Sequence, residues 1–174
     1  MNILVGVIDY GLVTNIISVL QNLNVPFFIV DHIIVPIIKP THIILSGGPD
    51  HVYEPNHREL PDWIINSNIH VLGICYGMQI ICKTFGGLVG KLPEKEKGLI
   101  LVEEYINNNL YINNRWFNRF DNVYVCPPNF TILGVSDKNY IVSITDCVKY
   151  LGVQYHPENP NAIDYNFFIY FLSK

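Results

Sequence analysis

Val71-Leu72-Gly73-Ile74-Cys75-Tyr76-Gly77-Met78-Gln79 is the stretch on which the fold of this chain turns. The apolar run 69–74 predicts a short buried strand, and the run 78–85 has the spacing of a helix. Between them stands Gly73-x-Cys75-x-Gly77, the thiol counterpart of a nucleophile elbow. The glycines permit a turn too tight for larger side chains, so the residue between them is pushed out of the sheet at a helix N-terminus. Unpaired N–H groups and the positive end of the helix dipole favour an ionised sulfur there. A buried cysteine in an ordinary strand–helix connection looks the same in isolation, so the partners of Cys75 elsewhere in the chain decide its role.

Upstream of the elbow, residues 3–9 read as an apolar strand ending in the turn Asp9-Tyr10-Gly11. Thr14 is placed to cap a helix whose apolar face is Ile16, Ile17, Val19, Leu20 and Leu23. Residues 25–30 form the next strand, with Pro26 at its start, and Pro36 breaks the apolar run 33–38 into an irregular crossover. A strand at 41–45 runs into Ser46-Gly47-Gly48-Pro49, and a helix is expected over 58–66 with Pro61 in its first turn. Fully apolar strands alternating with helices predict an α/β fold with a mainly parallel central sheet flanked by helices.

Downstream the texture changes from Gly98. Short strands are expected at 99–106, 110–112, 122–126, 131–135, 140–145 and 148–154, separated by turns such as Asn107-Asn108-Asn109 and Asp137-Lys138-Asn139. They read as antiparallel strands added to the edge of the same sheet in the C-terminal half. Residues 162–172 should close the chain as a helix on the core.

Composition narrows the function classes. A length of 174 residues suits one domain, and 49% hydrophobic with 15% charged residues excludes a disordered chain. A net charge of -4 without a Lys/Arg cluster argues against nucleic acid as a partner. No apolar run reaches membrane-spanning length and the N-terminus has no basic signal region, so a cytoplasmic protein is expected, without membrane contact. Cys75, Cys82, Cys126 and Cys147 show no C-x-x-C or zinc-ligand spacing; free thiols and neither metal nor cofactor are expected.

Gly152-Val153-Gln154-Tyr155-His156-Pro157-Glu158 supplies what the cysteine lacks. Pro157 disfavours helical backbone at His156, and in an extended segment His156 and Glu158 would face the same side. The chemistry then divides into a nucleophile, Cys75, a proton carrier, His156, and a carboxylate, Glu158, that fixes and charges the imidazole. Candidate donors to an oxyanion are the N–H groups of Tyr76 and Gly48.

With both segments in hand, the chain resembles the class I, triad-type glutamine amidotransferases, from Asp9-Tyr10-Gly11 to His156-Pro157-Glu158. The resemblance implies a flavodoxin-like fold that releases ammonia from L-glutamine through a γ-glutamyl thioester and hands it to a synthase. It places the triad at Cys75, His156 and Glu158, the oxyanion loop at Gly48, and a substrate contact at Gln79. Ser46-Gly47-Gly48-Pro49 and Cys75-Tyr76-Gly77-Met78-Gln79 look most like the glutaminase part of GMP synthetase. Asp9-Tyr10-Gly11 with Asn15 and Ser18 is more similar to the glutaminase of imidazole glycerol phosphate synthase.

Where GMP synthetases carry Ser-His-x-Asp against the glutamine backbone, this chain has Asn118-Arg119-Phe120-Asp121. Asn118 and Arg119 are therefore the implied substrate contacts there. No Ser-Gly-Gly-x-Asp-Ser loop or Walker sequence is present, so the implied ammonia acceptor is a separate ATP-pyrophosphatase subunit. Tyr53, Trp63 and Trp116 could build that interface. The same triad is compatible with a γ-glutamyl hydrolase acting alone, and the fold with a non-catalytic regulatory module.

Overall fold

The computed structural model describes residues 3–107 and 109–174; the middle of the expected turn at 107–109 lies outside them. In chain order the elements begin β1 (Val5–Ile8), α1 (Thr14–Asn22), β2 (Phe27–Val30), β3 (His42–Leu45), α2 (Asp62–Ile65), β4 (His70–Ile74) and α3 (Tyr76–Thr84). They continue as β5 (Leu88–Ile106), β6 (Asn109–Val125), β7 (Thr131–Ser136), β8 (Ile141–Thr145), β9 (Tyr150–Val153) and α4 (Tyr165–Leu172). One sheet runs in the order β2-β1-β3-β4-β9-β8-β6-β5-β7.

The first five strands of that order are parallel. Their apolar runs follow from burial on both faces. On one face α1 and α4 pack Ile16, Val19, Leu20, Phe167, Phe168 and Phe171 against Val5, Val7, Ile44 and Leu72. On the other, α3 packs Met78, Ile81 and Cys82 with Ile8, Ile43, Leu45 and Val71. β9 is the seam: it is parallel to β4 on one side and antiparallel to β8 on the other. From there to β7 the sheet is antiparallel.

Three expectations are corrected. Thr14 does not cap α1; the cap residue is Val13, without a side-chain hydrogen bond, and Thr14 is the first helical residue. The helix expected over 58–66 shrinks to one turn, α2, because Pro61 stands at its N-cap and Arg58 is engaged elsewhere. The short strands expected at 99–106, 110–112 and 122–126 are parts of one long hairpin, β5–β6, which also takes in 88–98 and 113–121. Those stretches are rich in charge and Asn, which reads as loop, but two pairs across the hairpin bury their charges together. Arg115 binds Glu104, and Arg119 binds Glu96. The closing helix forms, with the Asp164 side chain accepting from Phe167 N at 3.0 Å. Among the described residues no helix is long and apolar enough to cross a membrane.

Candidate active site

β4 ends at Ile74, and the chain turns at Cys75 with φ 52° and ψ -106°, a conformation that L-residues rarely adopt. Such a residue carries about 1–3 kcal/mol of strain and needs surroundings that enforce it. Those surroundings are visible. Cys75 N donates to Val153 O at 2.8 Å, and Gln79 N donates to Cys75 O at 3.2 Å. A Cβ on Gly73 would stand 2.6 Å from Gly77 O, and one on Gly77 would overlap the Leu45 backbone. A Cβ on Gly152 would meet Met78 Cγ at 2.9 Å. The elbow glycines thus serve close backbone approach: α3 lies so tightly on β3, β4 and β9 that the chain between has one path.

His156 follows the seam strand directly, and its N–H donates to Trp116 O at 2.8 Å. Its Nδ1 lies 2.7 Å from Glu158 Oε1, and the two residues are 5% and 3% exposed. The segment is not extended, as the sequence suggested. Asn159 N donates to His156 O at 3.1 Å, closing a turn at Pro157-Glu158 that brings carboxylate and ring together.

A carboxylate at Nδ1 makes that nitrogen the donor and leaves Nε2 for the reacting partner. Nε2 has no well-aligned hydrogen bond among the described residues, yet Cys75 is close enough to act on the ring. A carbon placed on Gly47 would lie 3.0 Å from His156 Cε1 and 3.5 Å from Cys75 Cβ. Burial pulls the imidazole pKa down, but the adjacent Cys75 and Glu158 side chains overcome it and hold it well above the ordinary value.

The loop after β3 is tied to the loop after β1. Tyr10 N donates to Ser46 Oγ at 2.8 Å and Leu12 N donates to Gly47 O at 3.1 Å. Arg58 donates to Asp50 Oδ2 at 2.9 Å and to Tyr10 O at 2.6 Å. Gly48 is pressed against Tyr10 O, where no side chain fits. This holds Gly48 in the wall of a cavity of about 370 Å³ that also contains Cys75, Gln79, Lys95, Asn118 and Asp121. A cavity of about 780 Å³ lies at the opposite ends of the parallel strands, between His42, His70 and Trp63. It does not contain Cys75, and open α/β sheets place their chemistry at the carboxyl ends of the strands, where Cys75 is.

The remaining candidates separate. Gln79 lines the Cys75 cavity and donates through Nε2 to Gln154 Oε1 at 3.2 Å. Asn118 lines it from β6. The Arg119 side chain is fully buried and turned away, donating to Glu96 Oε2 at 2.6 and 2.9 Å and to Asn122 Oδ1 at 2.7 Å. Burial lowers its pKa and Glu96 opposes that. Arg119 is also among the residues that line the cavity.

Sequence reading passed over Asp121, although it lies in the quoted segment. Its carboxylate accepts from Tyr53 Oη at 2.9 Å and sits 2.5 Å from His51 Nδ1. Tyr53 is thereby committed within the chain; burial and then Asp121 push its phenol up to about 12. Lys95 and Gln154 carried no motif signal beyond their neighbours.

Comparison with known proteins supplies the family. The class-I glutamine amidotransferase family matches residues 6–165. The GMP synthase (glutamine-hydrolyzing) of Thermomicrobium roseum is 37% identical over 127 residues, covering 70% of this chain and 24% of the relative. That of Thermosipho africanus is 38% identical over 130 residues, covering 70% and 25%. The chain thus spans about a quarter of the length of the curated relatives it matches. A candidate GMP synthase subunit from Thermoplasma acidophilum has a crystal structure that superposes with a TM-score of 0.83 at 25% identity. The match covers 99% of this chain and 94% of that one.

Proposed function

The chain belongs to the class-I glutamine amidotransferases, and from that premise we propose that it releases ammonia from L-glutamine through a thioester on Cys75. The observation that carries the reading is the buried 2.7 Å contact of His156 Nδ1 with Glu158, with Cys75 beside the same ring. The raised imidazole pKa favours an imidazolium beside the Cys75 sulfur.

In this mechanism the Cys75 sulfur attacks the γ-carbonyl carbon of glutamine, and the developing oxyanion is met by the N–H groups of Tyr76 and Gly48. The Cys75 N–H is already given to Val153 O and is not a donor to it. The C–N bond breaks as the imidazolium gives its proton to the departing nitrogen, so ammonia leaves neutral. Neutral His156 then takes a proton from water, whose oxygen attacks the thioester. Glutamate departs and the thiolate–imidazolium pair returns. Gln79, Asn118 and the main chain of Arg119 hold the substrate. Glu158 keeps Nδ1–H in place throughout and stabilises the charged ring.

The ammonia is passed to a separate ATP-pyrophosphatase subunit of GMP synthetase type. What supports this is the similarity to GMP synthases about three times as long and to a candidate GMP synthase subunit of nearly equal length. The test is ammonia release from glutamine, with mass-spectrometric detection of a γ-glutamyl adduct on the Cys75 peptide. Absence of both in the pure protein and in the presence of an ATP-pyrophosphatase chain overturns the proposal. Co-purification of such a chain from the native source tests the partner.

A further inference from the structure

Resting on that reading, we infer that Lys95 is a specificity-determining residue: its ammonium takes the α-carboxylate of the substrate, opposite Asp121, which takes the α-ammonium. The β5–β6 ladder pairs Lys91 with Asp121 and Glu96 with Arg119, so residues 92–95 stand opposite Phe120 alone. A bulge of that kind re-aims side chains beside a site. Here it carries Lys95 into the wall of the Cys75 cavity.

The charges of that wall are otherwise spoken for. Asp50 is paired with Arg58, and the Arg119 guanidinium is buried against Glu96. Asp121 is held by His51 and Tyr53, and a carboxylate so bonded still has lone pairs for a further donor. Lys95 is the lining charge with no ionic partner among the described residues. Its Nζ rests instead 4.6 Å from the centre of the Phe120 ring, a contact that holds the ammonium at the rim without neutralising it. A cavity offering one unpaired cation and one carboxylate beside a nucleophile matches a free amino acid. A peptide-linked glutamine would leave both charges unanswered.

The experiment compares L-glutamine with 4-aminobutanamide, which is glutamine without its α-carboxylate, on the wild type, Lys95→Met and Lys95→Arg. Lys95→Met should raise the glutamine KM about tenfold, as expected for losing one charge-assisted contact, with kcat little changed. It should leave kcat/KM for 4-aminobutanamide as it was, and Lys95→Arg should keep the preference for glutamine. An unchanged glutamine KM, or an equal fall for both compounds, overturns the assignment. Calorimetric titration of glutamine into Cys75→Ala and Cys75→Ala/Lys95→Met reads the same contact without turnover. Lys95-dependent binding in a protein that releases no ammonia would break the catalytic reading and keep this one; turnover without Lys95-dependent binding does the reverse.

Discussion

The two halves of the sheet hold the site by different physics. In the parallel half Cys75 is fixed by backbone contact. Gly73, Gly77 and Gly152 let α3 lie on β3, β4 and β9 with no room for a methyl group, and Cys75 is forced to a positive φ. In the antiparallel half the cavity wall is fixed by buried charge. Arg115 is enclosed by Glu104 and Asp164, with Tyr155 Oη donating to Glu104 Oε2 at 2.8 Å, and Arg119 is enclosed by Glu96 and Asn122. Steric placement accepts an added carbon only if backbone shifts. Electrostatic placement tolerates exchange of both partners but not the loss of one.

The largest effect should come from the parallel half. Cys75→Ala is expected to lower glutaminase turnover by at least about 10⁴-fold with the fold intact, read by ammonia release and circular dichroism. Residual activity near wild type would mean that the strained elbow is only a packing device. Next, Arg119→Met should destabilise by about 3–5 kcal/mol in urea titration, because Glu96 stays buried with Lys138 at the rim as its remaining cation. Adding Glu96→Leu should restore most of the loss. If the double variant is no better than the single one, the wall is held by shape, and the contrast between the halves disappears.

At the seam, Glu158→Gln should lower kcat/KM by about 10²–10³-fold, since the ring loses its charge partner while keeping a hydrogen-bond acceptor. The sign of the pH effect follows from a raised folded pKa. The imidazolium contributes its stability fully below the ordinary value of 6.5, and that contribution is lost as pH climbs through the raised one. Removing the carboxylate lowers the folded value, so the alkaline limb of the kcat/KM profile should move to lower pH. Smallest, Gly77→Ala should cost about 1–3 kcal/mol of overpacking, visible as a lower urea midpoint. An unaffected midpoint would show that Leu45 and its strand can shift away.

The parallel half was legible because its strands are dominated by apolar runs and its elbow is marked by two glycines at fixed spacing. The long hairpin was not. Lys91, Pro93, Glu94, Lys95, Glu96 and Lys97 look solvated in sequence, as do Asn113, Asn114, Arg115, Asn118 and Arg119. What makes this segment a strand pair is the register that sets Glu96 beside Arg119, and no local pattern encodes a partner more than twenty residues away. The proximity of His156 and Glu158 was legible for an imperfect reason. Spacing of one residue suggested an extended segment, whereas Pro157 shapes a turn. The direction of the Arg119 side chain was not legible from its segment. That direction is dictated by Glu96.

Because β9 is bonded to β4 on one side and to β8 on the other, the candidate site is shared between two stretches of chain. Residues 139–174 carry β8, β9, α4, His156 and Glu158, while residues 1–138 carry Cys75 and the cavity wall. Severing the backbone at the turn near Lys138 would yield two pieces, each inert alone. With the proposed activity, ammonia release would then report that the two pieces had found each other.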